Sequence, residues 1–275
     1  MSWLEVVVLG LVQGLTEFLP ISSSAHLRIV SGVFFGNDPG AAFTAVSQLG
    51  TEAAVLIYFA RDIAQLVAGW VRGLMHREER AETEYRLAWL VIIGTVPISV
   101  LGLLFKDQIE TTLRSLWFVG AALIAFSGVM WFADRAATQQ RHEAEVTWKD
   151  TLIIGTAQAL ALIPGISRSG ATMSAGLLRD FDRVTVTRLS FFLSIPALLA
   201  AGVLQIADEH DNIATGVGWP ATITATLVSG AVGYLAVAWL LKFVARHTYT
   251  VFIVYRVVLG TLLLVLVGTG TIEAT

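Results

Sequence analysis

Cysteine is absent from this sequence, and charged residues are scarce. The lack of cysteine excludes disulfide bonds, a thiolate nucleophile and any cysteine-ligated metal site. Charged residues make up 14% of the 275 residues, against about 25% in an average soluble domain. Hydrophobic residues make up 55%, which is more apolar surface than a soluble core of this size needs. The composition therefore indicates an integral membrane protein.

Long runs without any charged residue support this class. Leu116 to Ala133 and Val217 to Leu241 contain no Asp, Glu, Lys or Arg. Each run is long enough to cross a hydrocarbon core of about 30 Å at about 1.5 Å per helical residue. Lipid offers no partner to a free backbone amide, so the crossing segments should be helices. The predicted fold is all-α integral membrane, with six full spans at 41–60, 87–105, 116–133, 188–206, 219–243 and 250–267.

Two further apolar segments are too interrupted to be spans. Residues 3–35 are broken by Pro20 and a run of three serines, and residues 151–178 are broken by Pro164 and the sequence Ser-Arg-Ser. Apolar stretches of about 10–14 residues are typical of re-entrant segments, which enter and leave the membrane on one side. Non-helical backbone at membrane depth is tolerated only where it is buried in protein or lines a wet cavity. These segments are therefore predicted to form two re-entrant helical hairpins.

The charges between the spans predict the orientation. Basic residues concentrate in four connecting segments, which the positive-inside rule places in the cytoplasm. The loop at 207–218 has acidic residues and no Lys or Arg, so it is predicted outside, and 106–115 must then be outside as well. Both termini are therefore predicted to face outside, with the first hairpin entering from outside and the second from the cytoplasm. The four basic segments are 61–86, 134–150, 179–188 and 242–246.

The two hairpins resemble each other in sequence. Gln13 corresponds to Gln158 and Pro20 to Pro164, with offsets of 145 and 144 residues. Each hairpin is followed by three spans, and because three is odd the second copy would be inverted relative to the first. In proteins of this kind the substrate site usually lies where the broken helices meet near the midplane. We therefore predict a single membrane domain with an inverted-topology repeat, whose copies cover 1–145 and 146–275.

Polar side chains inside a membrane are costly and therefore point to function. Gln13 and Glu17 are four residues apart and share one face of a helix. Their oxygens suit a hard cation such as Mg²⁺ or Ca²⁺. His26 is suited to acid–base chemistry near neutral pH, and a serine beside such a group is a candidate nucleophile. The serines of this hairpin are Ser22, Ser23 and Ser24.

The second hairpin offers groups that bind anions. Arg168 stays charged and presents a fork of donors that matches phosphate. Hydroxyl groups and backbone N–H groups at a helix N-terminus add affinity for anions, and glycine lets the backbone approach a ligand closely. The groups on the two hairpins together indicate phosphoryl chemistry. The residues concerned besides Arg168 are Ser167, Ser169, Gly170 and Thr172.

Purely structural roles are the alternative for these residues. Gln13 and Glu17 could form a helix face at the outer interface, and Arg168 could extend toward the cytoplasmic headgroups. The serine run would serve as a turn and N-cap in either case. An outer-interface or helix-pairing role is expected for Glu52, and a helix-packing role for Ser190 and Ser194.

At these residues the sequence resembles the undecaprenyl-pyrophosphate phosphatase family, also called bacitracin-resistance proteins. The resemblance covers essentially the whole chain and rests on two complete motifs. One is Glu/Gln-x-x-x-Glu running into Pro-x-Ser-Ser-x-x-His, found here from Gln13 to His26. The other is Pro-Gly-x-Ser-Arg-Ser-x-x-Thr, found here from Pro164 to Thr172. The sequence Gln-Leu-Gly at 48–50 also fits the family.

The resemblance implies an enzyme that removes one phosphate from undecaprenyl pyrophosphate, recycles the lipid carrier for cell-wall synthesis and gives bacitracin resistance. It also implies a divalent cation, a bacterial plasma-membrane location among membrane lipids, and six spans with two re-entrant hairpins. No nucleic-acid partner is expected, and a homodimer is compatible with this architecture. Many members have Glu where this chain has Gln13. Because an amide binds metal more weakly, Glu17 is the main cation ligand expected, with Gln13 assisting.

The pyrophosphate is expected to lie between the two hairpins. Catalytic roles are expected for Ser23, for His26 as proton carrier, for Glu17 as ligand of the cation, and for Arg168, which neutralises charge that develops in the transition state. Ser23 is either the nucleophile or a positioner of the attacked phosphate, and a phosphoserine intermediate and direct attack by water both stay open. The alternative function is a polyprenyl-phosphate transporter or flippase that uses the same site. Substrate contacts are expected from Gln13, Ser22, Ser24, Ser167, Ser169, Gly170 and Thr172.

Overall fold

The computed structural model describes residues 1–36, 40–105, 115–215 and 217–273, with side chains for all of these except 40–42, 205 and 209–215. Within this part of the chain the structure is helical and no strand occurs, as predicted. The helices described are α1 (Trp3–Thr16), α2 (Ser23–Val30), α3 (Gly40–Tyr58), α4 (Ala60–Met75), α5 (Thr83–Leu104), α6 (Leu116–Ala136), α7 (Trp148–Gln158), α8 (Arg168–Leu177), α9 (Arg183–Thr215), α10 (Trp219–Val244) and α11 (Thr250–Gly268).

Five of these helices are each long and apolar enough to cross a membrane, namely α5, α6, α9, α10 and α11. They correspond to the last five predicted spans. The described residues of α3 and α4 pass the same test only as a bent pair, which makes a sixth span if the two are counted as one. The predicted all-α membrane fold is therefore confirmed.

The segment after the first span departs from the predicted layout. The sequence predicts a loop over 61–86, but most of this stretch is helical. α4 follows α3 after Phe59 alone, and the two helices are bent by 79° relative to each other. Polar residues such as Asp62 and Arg72 recur among apolar ones on α4, so the helix is amphipathic. A search for uniformly apolar runs does not detect a helix of this kind.

The fourth span also continues further than predicted. The sequence predicts a loop over 207–218, whereas α9 runs on to Thr215. The acidic residues of this stretch indicate that it lies outside the bilayer. They do not exclude a helix, because a helix can carry charged residues once it has left the bilayer. The loop predicted at 106–115 lies outside the described residues except for its last position.

The outer faces of the spans are apolar, as lipid contact requires. On α11 the exposed side chains include Val254, Val258 and Leu262, whereas Arg256 and Gly260 face the interior. A soluble protein would show the reverse arrangement, with charge outside and apolar groups inside. The exposed apolar side chains of the spans are therefore suited to lipid.

Both interrupted segments form helix–turn–helix hairpins, α1 with α2 and α7 with α8. None of the four helices is long enough to span a membrane. The two hairpins begin in the same way, because a capping box joins Ser2 to Glu5 at α1 and Thr147 to Asp150 at α7. The second hairpin starts slightly earlier than predicted, at Trp148.

The hairpins open toward opposite ends of the helix bundle. The start of α1 packs with the start of α10 in an apolar cluster that includes Val6, Phe43 and Ala225. The start of α7 lies instead with the predicted cytoplasmic segments, which contact one another through ion pairs. The turns of the two hairpins therefore meet between the ends. The ion pairs among those segments include Arg188–Asp62, Arg188–Glu143, Arg183–Asp134 and Arg179–Asp150.

Small residues let each hairpin lie close to a span. Gly10 and Gly14 of α1 pack on the backbone of α10, where an added Cβ would lie 2.9 Å from the Ala225 carbonyl oxygen and 2.7 Å from that of Ser229. Gly155 of α7 packs in the same way on the backbone of α5. Close backbone contact through small residues is the usual way in which helices pack in membranes.

Asp150 ties the open end of the second hairpin to its surroundings. Its buried carboxylate accepts hydrogen bonds from Arg141 Nη2 at 2.7 Å, Arg179 Nε at 2.8 Å and Thr147 Oγ1 at 2.6 Å. Burial alone would raise the pKa of this carboxyl, but the three partners outweigh it and hold the pKa well below its usual range. The stabilisation is therefore full above the ordinary Asp pKa of about 3.9 and is lost as the pH falls below that value.

Replacing Asp150 with Asn should lower the free energy of unfolding by about 1.5–3 kcal/mol at neutral pH, the usual contribution of a hydrogen bond to a charged group. Unfolding of the purified protein in detergent, followed as a function of pH, measures this. The gap between wild type and D150N should be constant above about pH 5 and narrow below it. Glu145→Gln, which removes an exposed carboxylate nearby, is the control, and an equal loss in both variants would contradict the assignment.

Candidate active site

The two hairpin turns are strained at matching positions. Ser22 has a φ of 73° and Ser167 a φ of 76°, a region that residues other than glycine seldom occupy. Each is the N-cap of the second helix of its hairpin. Such strain costs on the order of 1–3 kcal/mol per residue and is found mainly at functional sites, where the surrounding structure enforces it. The turns are therefore candidates for the functional site.

The two turns are hydrogen-bonded to each other. The Ser22 hydroxyl accepts a hydrogen bond from the Gly165 N–H at 3.2 Å. In the opposite direction, the Ser169 hydroxyl donates to the Leu19 carbonyl at 3.0 Å. Two hairpins that start at opposite ends of the bundle thus form one joined structure in its interior.

A buried arginine on α11 clamps both turns. Arg256 is 0% exposed and donates from Nη1 to the Pro20 carbonyl at 3.3 Å and from Nη2 to the Gly165 carbonyl at 2.9 Å. Its Nε donates to the Ser127 hydroxyl at 3.1 Å. No carboxylate pairs with Arg256 in the described part of the chain. Because a buried charge without a counter-ion is costly, this arrangement favours an anion bound nearby.

Glu17 is the centre of a hydrogen-bond network beside the turns. Its Oε2 accepts from Gln13 Nε2 and from the Ser23 hydroxyl, both at 2.7 Å, and from Gln48 Nε2 at 3.4 Å. Its Oε1 accepts from Arg168 Nη2 at 3.0 Å. All these side chains except Gln48 are buried or nearly so, and Gln48 is half-buried. The structure therefore brings together the predicted residues of both hairpins, and they form no exposed helix face.

Arg168 lies between two carboxylates. Besides the bond from Nη2 to Glu17, Arg168 Nη1 is 3.7 Å from Glu52 Oε1. Glu52 is 0% exposed and faces the site, so the outer-interface role expected for it is wrong, whereas the helix-pairing role expected as its alternative is confirmed by the hydrogen bond from Ser194. The Ser194 hydroxyl, 3.2 Å from Glu52 Oε1, does pair α9 with α3 as expected of a packing residue. Arg168 Nε and Nη1 make no hydrogen bond within the described structure, which leaves donors for an anion.

His26 makes its hydrogen bonds away from Glu17 and Ser23. Its Nδ1 is 2.7 Å from the Ser22 carbonyl oxygen and its Nε2 is 2.7 Å from the Tyr255 hydroxyl. A carbonyl oxygen only accepts, so Nδ1 must carry a proton, and Nε2 of the neutral ring then accepts from Tyr255. The rings of His26 and Tyr255 are also stacked, with centroids 5.5 Å apart. The structure thus joins His26 to the strained turn rather than to the carboxylate.

Other residues predicted to contact the substrate use their polar groups within the protein. The Thr172 hydroxyl is 2.7 Å from Ser190 Oγ, which pairs α8 with α9 and fits the packing role expected for Ser190. The Ser167 hydroxyl accepts from the Gly170 N–H at 3.2 Å and so caps α8. Ser24 is half-buried, and its hydroxyl oxygen is 3.3 Å from the hydroxyl oxygen of Ser22. Contact of these residues with a substrate stays a prediction.

The site offers oxygen ligands for a cation without a dense acidic cluster. Among the described residues, no group of three or more His, Asp or Glu side chains is placed to hold a metal ion. Hard cations also take amide and hydroxyl oxygens. Glu17 supplies a carboxylate here, and the buried Gln13 Oε1 has no hydrogen-bond partner in the described structure. The predicted ligands Glu17 and Gln13 thus fit a hard cation chemically, and cation binding stays a prediction.

Arg256, Glu52 and Tyr255 are among the site residues that were not assigned to it from the sequence. Arg256 and Glu52 are ionisable residues within apolar spans, where charge is rare and usually functional, so that signal could have identified both. Tyr255 carries no such signal, because tyrosine is common in membrane proteins at the interface with water.

Comparison with known proteins agrees with the resemblance of the two motifs. Residues 6–262 match the family model described as bacitracin resistance protein BacA. "Undecaprenyl-diphosphatase 3" of Frankia casuarinae is 61% identical over 278 residues, covering 100% of each chain. Proteins named undecaprenyl-diphosphatase in Mycobacterium bovis and Mycobacterium ulcerans are each 52% identical over 277 residues, again covering 100% of each chain. With both hairpins and nearly all of its length inside the match, the chain belongs to the bacitracin resistance protein BacA family.

Proposed function

We propose that this chain hydrolyses undecaprenyl pyrophosphate to undecaprenyl phosphate and inorganic phosphate. The observation that carries the proposal is the hydrogen-bonded row of Ser23, Glu17 and Arg168 at the join of the hairpins. A hydroxyl nucleophile, an acceptor for its proton and a guanidinium for the phosphate are groups that phosphoryl transfer uses. The names of the relatives supply the substrate. In this role the enzyme recycles the lipid carrier of cell-wall synthesis, which accounts for bacitracin resistance.

The geometry supports Ser23 as the attacking group and Glu17 as its base. The Ser23 hydroxyl donates to Glu17 Oε2 at 2.7 Å, which is within reach for direct proton transfer. As Ser23 Oγ bonds to the terminal phosphorus, the bond from that phosphorus to the bridging oxygen breaks. The serine proton passes through Glu17 to the departing lipid phosphate. Water then attacks the phosphoserine and gives a proton to Glu17, which returns it to Ser23 Oγ as inorganic phosphate leaves.

Arg168 and the helix ends would bind the pyrophosphate. Arg168 Nε and Nη1 are donors without hydrogen-bond partners in the described structure, and a guanidinium matches phosphate geometry. Backbone N–H groups at the start of α2 and α8 would add to this affinity. A divalent cation held by Glu17 and Gln13 Oε1 would neutralise charge on the phosphate oxygens.

For His26 we propose a positioning role. Its bonds to the Ser22 carbonyl and to Tyr255 link the strained turn to α11. This would hold Ser23, the next residue, at Glu17. In the described structure His26 makes no hydrogen bond to Ser23 or Glu17, so its geometry does not support the role of proton carrier predicted from the sequence. The transporter alternative is likewise not favoured, because the names of the relatives describe a phosphatase.

We also propose that the two halves form inverted repeats, 1–145 and 146–275, in a bacterial plasma membrane. α1 packs on α10 as α7 packs on α5, and the strained serines lie 145 residues apart, as do the capping boxes. The basic segments, which lie together at one end of the bundle, would face the cytoplasm. Both termini would then face outside.

The catalytic proposal predicts that kcat for phosphate release from a C55 polyprenyl pyrophosphate depends much more strongly on Ser23 than on Ser24. Ser23→Ala should lower kcat at least about a hundredfold, the usual effect of removing a group from the proton-transfer step. Ser24→Ala should change mainly KM and leave kcat close to wild type, because Ser24 is expected to contact the substrate but its hydroxyl does not reach Glu17. The assay uses purified protein in detergent, with Mg²⁺ or Ca²⁺ and then with chelator. Equal activities of the two variants would contradict the assignment, and acid-trapped phosphoserine would separate the covalent route from direct attack by water.

The orientation can be tested by labelling, since the chain contains no cysteine of its own. In intact cells a membrane-impermeant maleimide should label Glu273→Cys, which lies near the C-terminus. It should not label Glu78→Cys, in the exposed turn after α4, until the cells are opened. The reverse pattern would contradict the proposed orientation.

A further inference from the structure

Glu52 is a second carboxylate at the site, supplied by a span rather than by a hairpin. It lies four residues after Gln48 on α3, so both side chains share one face of the helix. Gln48 Nε2 is 3.4 Å from Glu17 Oε2, and Glu52 Oε1 is 3.7 Å from Arg168 Nη1. Of these two residues, Glu52 is fully buried. α3 thus directs two oxygen-bearing side chains at the Glu17–Arg168 pair.

The charges at this point do not balance. Glu17 and Glu52 both contact Arg168, so two carboxylates share one guanidinium. The other buried cation of the site, Arg256, has only carbonyl and hydroxyl oxygens as acceptors in the described structure, and it lies at the turns. A buried carboxylate without a full counter-charge is strongly destabilising at membrane depth. A second positive charge beside Glu52 would remove this deficit.

An unpartnered oxygen close by points to the same ligand. Gln13 is 0% exposed and donates from Nε2 to Glu17 at 2.7 Å, whereas no donor in the described structure reaches its Oε1. A buried acceptor without a partner indicates a missing ligand. Two carboxylates and an amide oxygen are a ligand set for a hard divalent cation.

We propose that Glu52 is the second carboxylate ligand of a divalent cation that also binds Glu17. It supplies the negative charge that Gln13, an amide, lacks. The proposal rests on the cation dependence included in the proposed function and goes beyond it by naming a ligand on α3. Without the cation, Arg168 is the positive charge that both carboxylates contact. A bound cation would compensate the charge of Glu52 and leave Arg168 Nη1 for the phosphates, while Arg168 Nη2 stays paired with Glu17.

Binding of Mn²⁺ to the purified protein in detergent, measured by electron paramagnetic resonance of the unbound ion, tests this without relying on catalysis. Glu52→Gln should raise the apparent Kd for Mn²⁺ at least tenfold. Arg168→Met should lower the Kd, because it removes a competing positive charge. Adding Gln13→Glu to Glu52→Gln should restore much of the affinity, because the carboxylate returns to the site from α1.

Glu5→Gln is the matched control, because Glu5 is a buried carboxylate on α1 that caps the start of the helix. It should leave the Kd unchanged. Unchanged affinity in E52Q, an equal loss in E5Q, weaker binding in R168M or no recovery in the double variant would each overturn the proposal.

Phosphate release by the wild type is measured in parallel. Activity with unchanged Mn²⁺ binding in E52Q would reject Glu52 as a ligand and leave the enzyme in place, whereas Mn²⁺ binding without phosphate release would reject the proposed function instead.

Discussion

The ion pair between Glu17 and Arg168 is the interaction on which the rest of the structure depends. Both charges lie deep among the helices, where an ion is tolerated only if it is paired and hydrogen-bonded. Glu17 follows α1 and Arg168 begins α8, so the pair forms only if two hairpins from opposite ends stop at the same depth. The strained φ angles of Ser22 and Ser167 are the local cost of stopping there. Arg256 holds both turns in this position through their carbonyl oxygens.

The chemistry is divided between two similar halves. Where the first hairpin has Ser23, the second has Arg168 at the position 145 residues later, and Leu162 stands at the position that corresponds to Glu17. In the proposed mechanism one hairpin thus carries the nucleophile and the base, and the other carries the arginine that binds the phosphate. Gln158, the counterpart of Gln13, is buried, and neither polar atom of its side chain makes a hydrogen bond in the described structure. The similar hairpins of the two halves bring their turns together, and the residues that differ between the hairpins are those proposed to carry the chemistry.

The sequence was sufficient to predict the elements but not the side-chain directions. Apolar runs located the last five spans, and Pro20 and Pro164 located the hairpins, because these features act locally. The helix α4 was missed because its apolar residues are spread over one face. The contact of Glu52 with Arg168 was not predicted, because a carboxylate in a span has a predictable energetic cost but no predictable orientation. That direction is fixed by how α3 packs on α9 and the hairpins, which only the tertiary structure shows.

The motifs brought the right residues into one site but did not determine their contacts. The sequence pattern grouped both Ser23 and His26 with Glu17, yet the structure gives the hydrogen bond to Ser23 and directs His26 to Tyr255. Only the family resemblance distinguished Ser23 from the serines on either side of it, and the turn geometry brings the hydroxyl of Ser23 to Glu17. Gly165 and Ser169 join the turns through contacts that span the two halves. Local sequence patterns do not predict hydrogen bonds between residues that are so far apart in the chain.

A double-mutant cycle on Glu17 and Arg168, measured as kcat/KM for phosphate release, tests the central claim most directly. If the two side chains act as one unit at the join of the hairpins, the effects of Glu17→Gln and Arg168→Met should be strongly non-additive. The double variant should then be little slower than the slower of the two single variants. If the two losses simply add in free energy, the residues act independently, and the ion pair is not the unit on which the site is built.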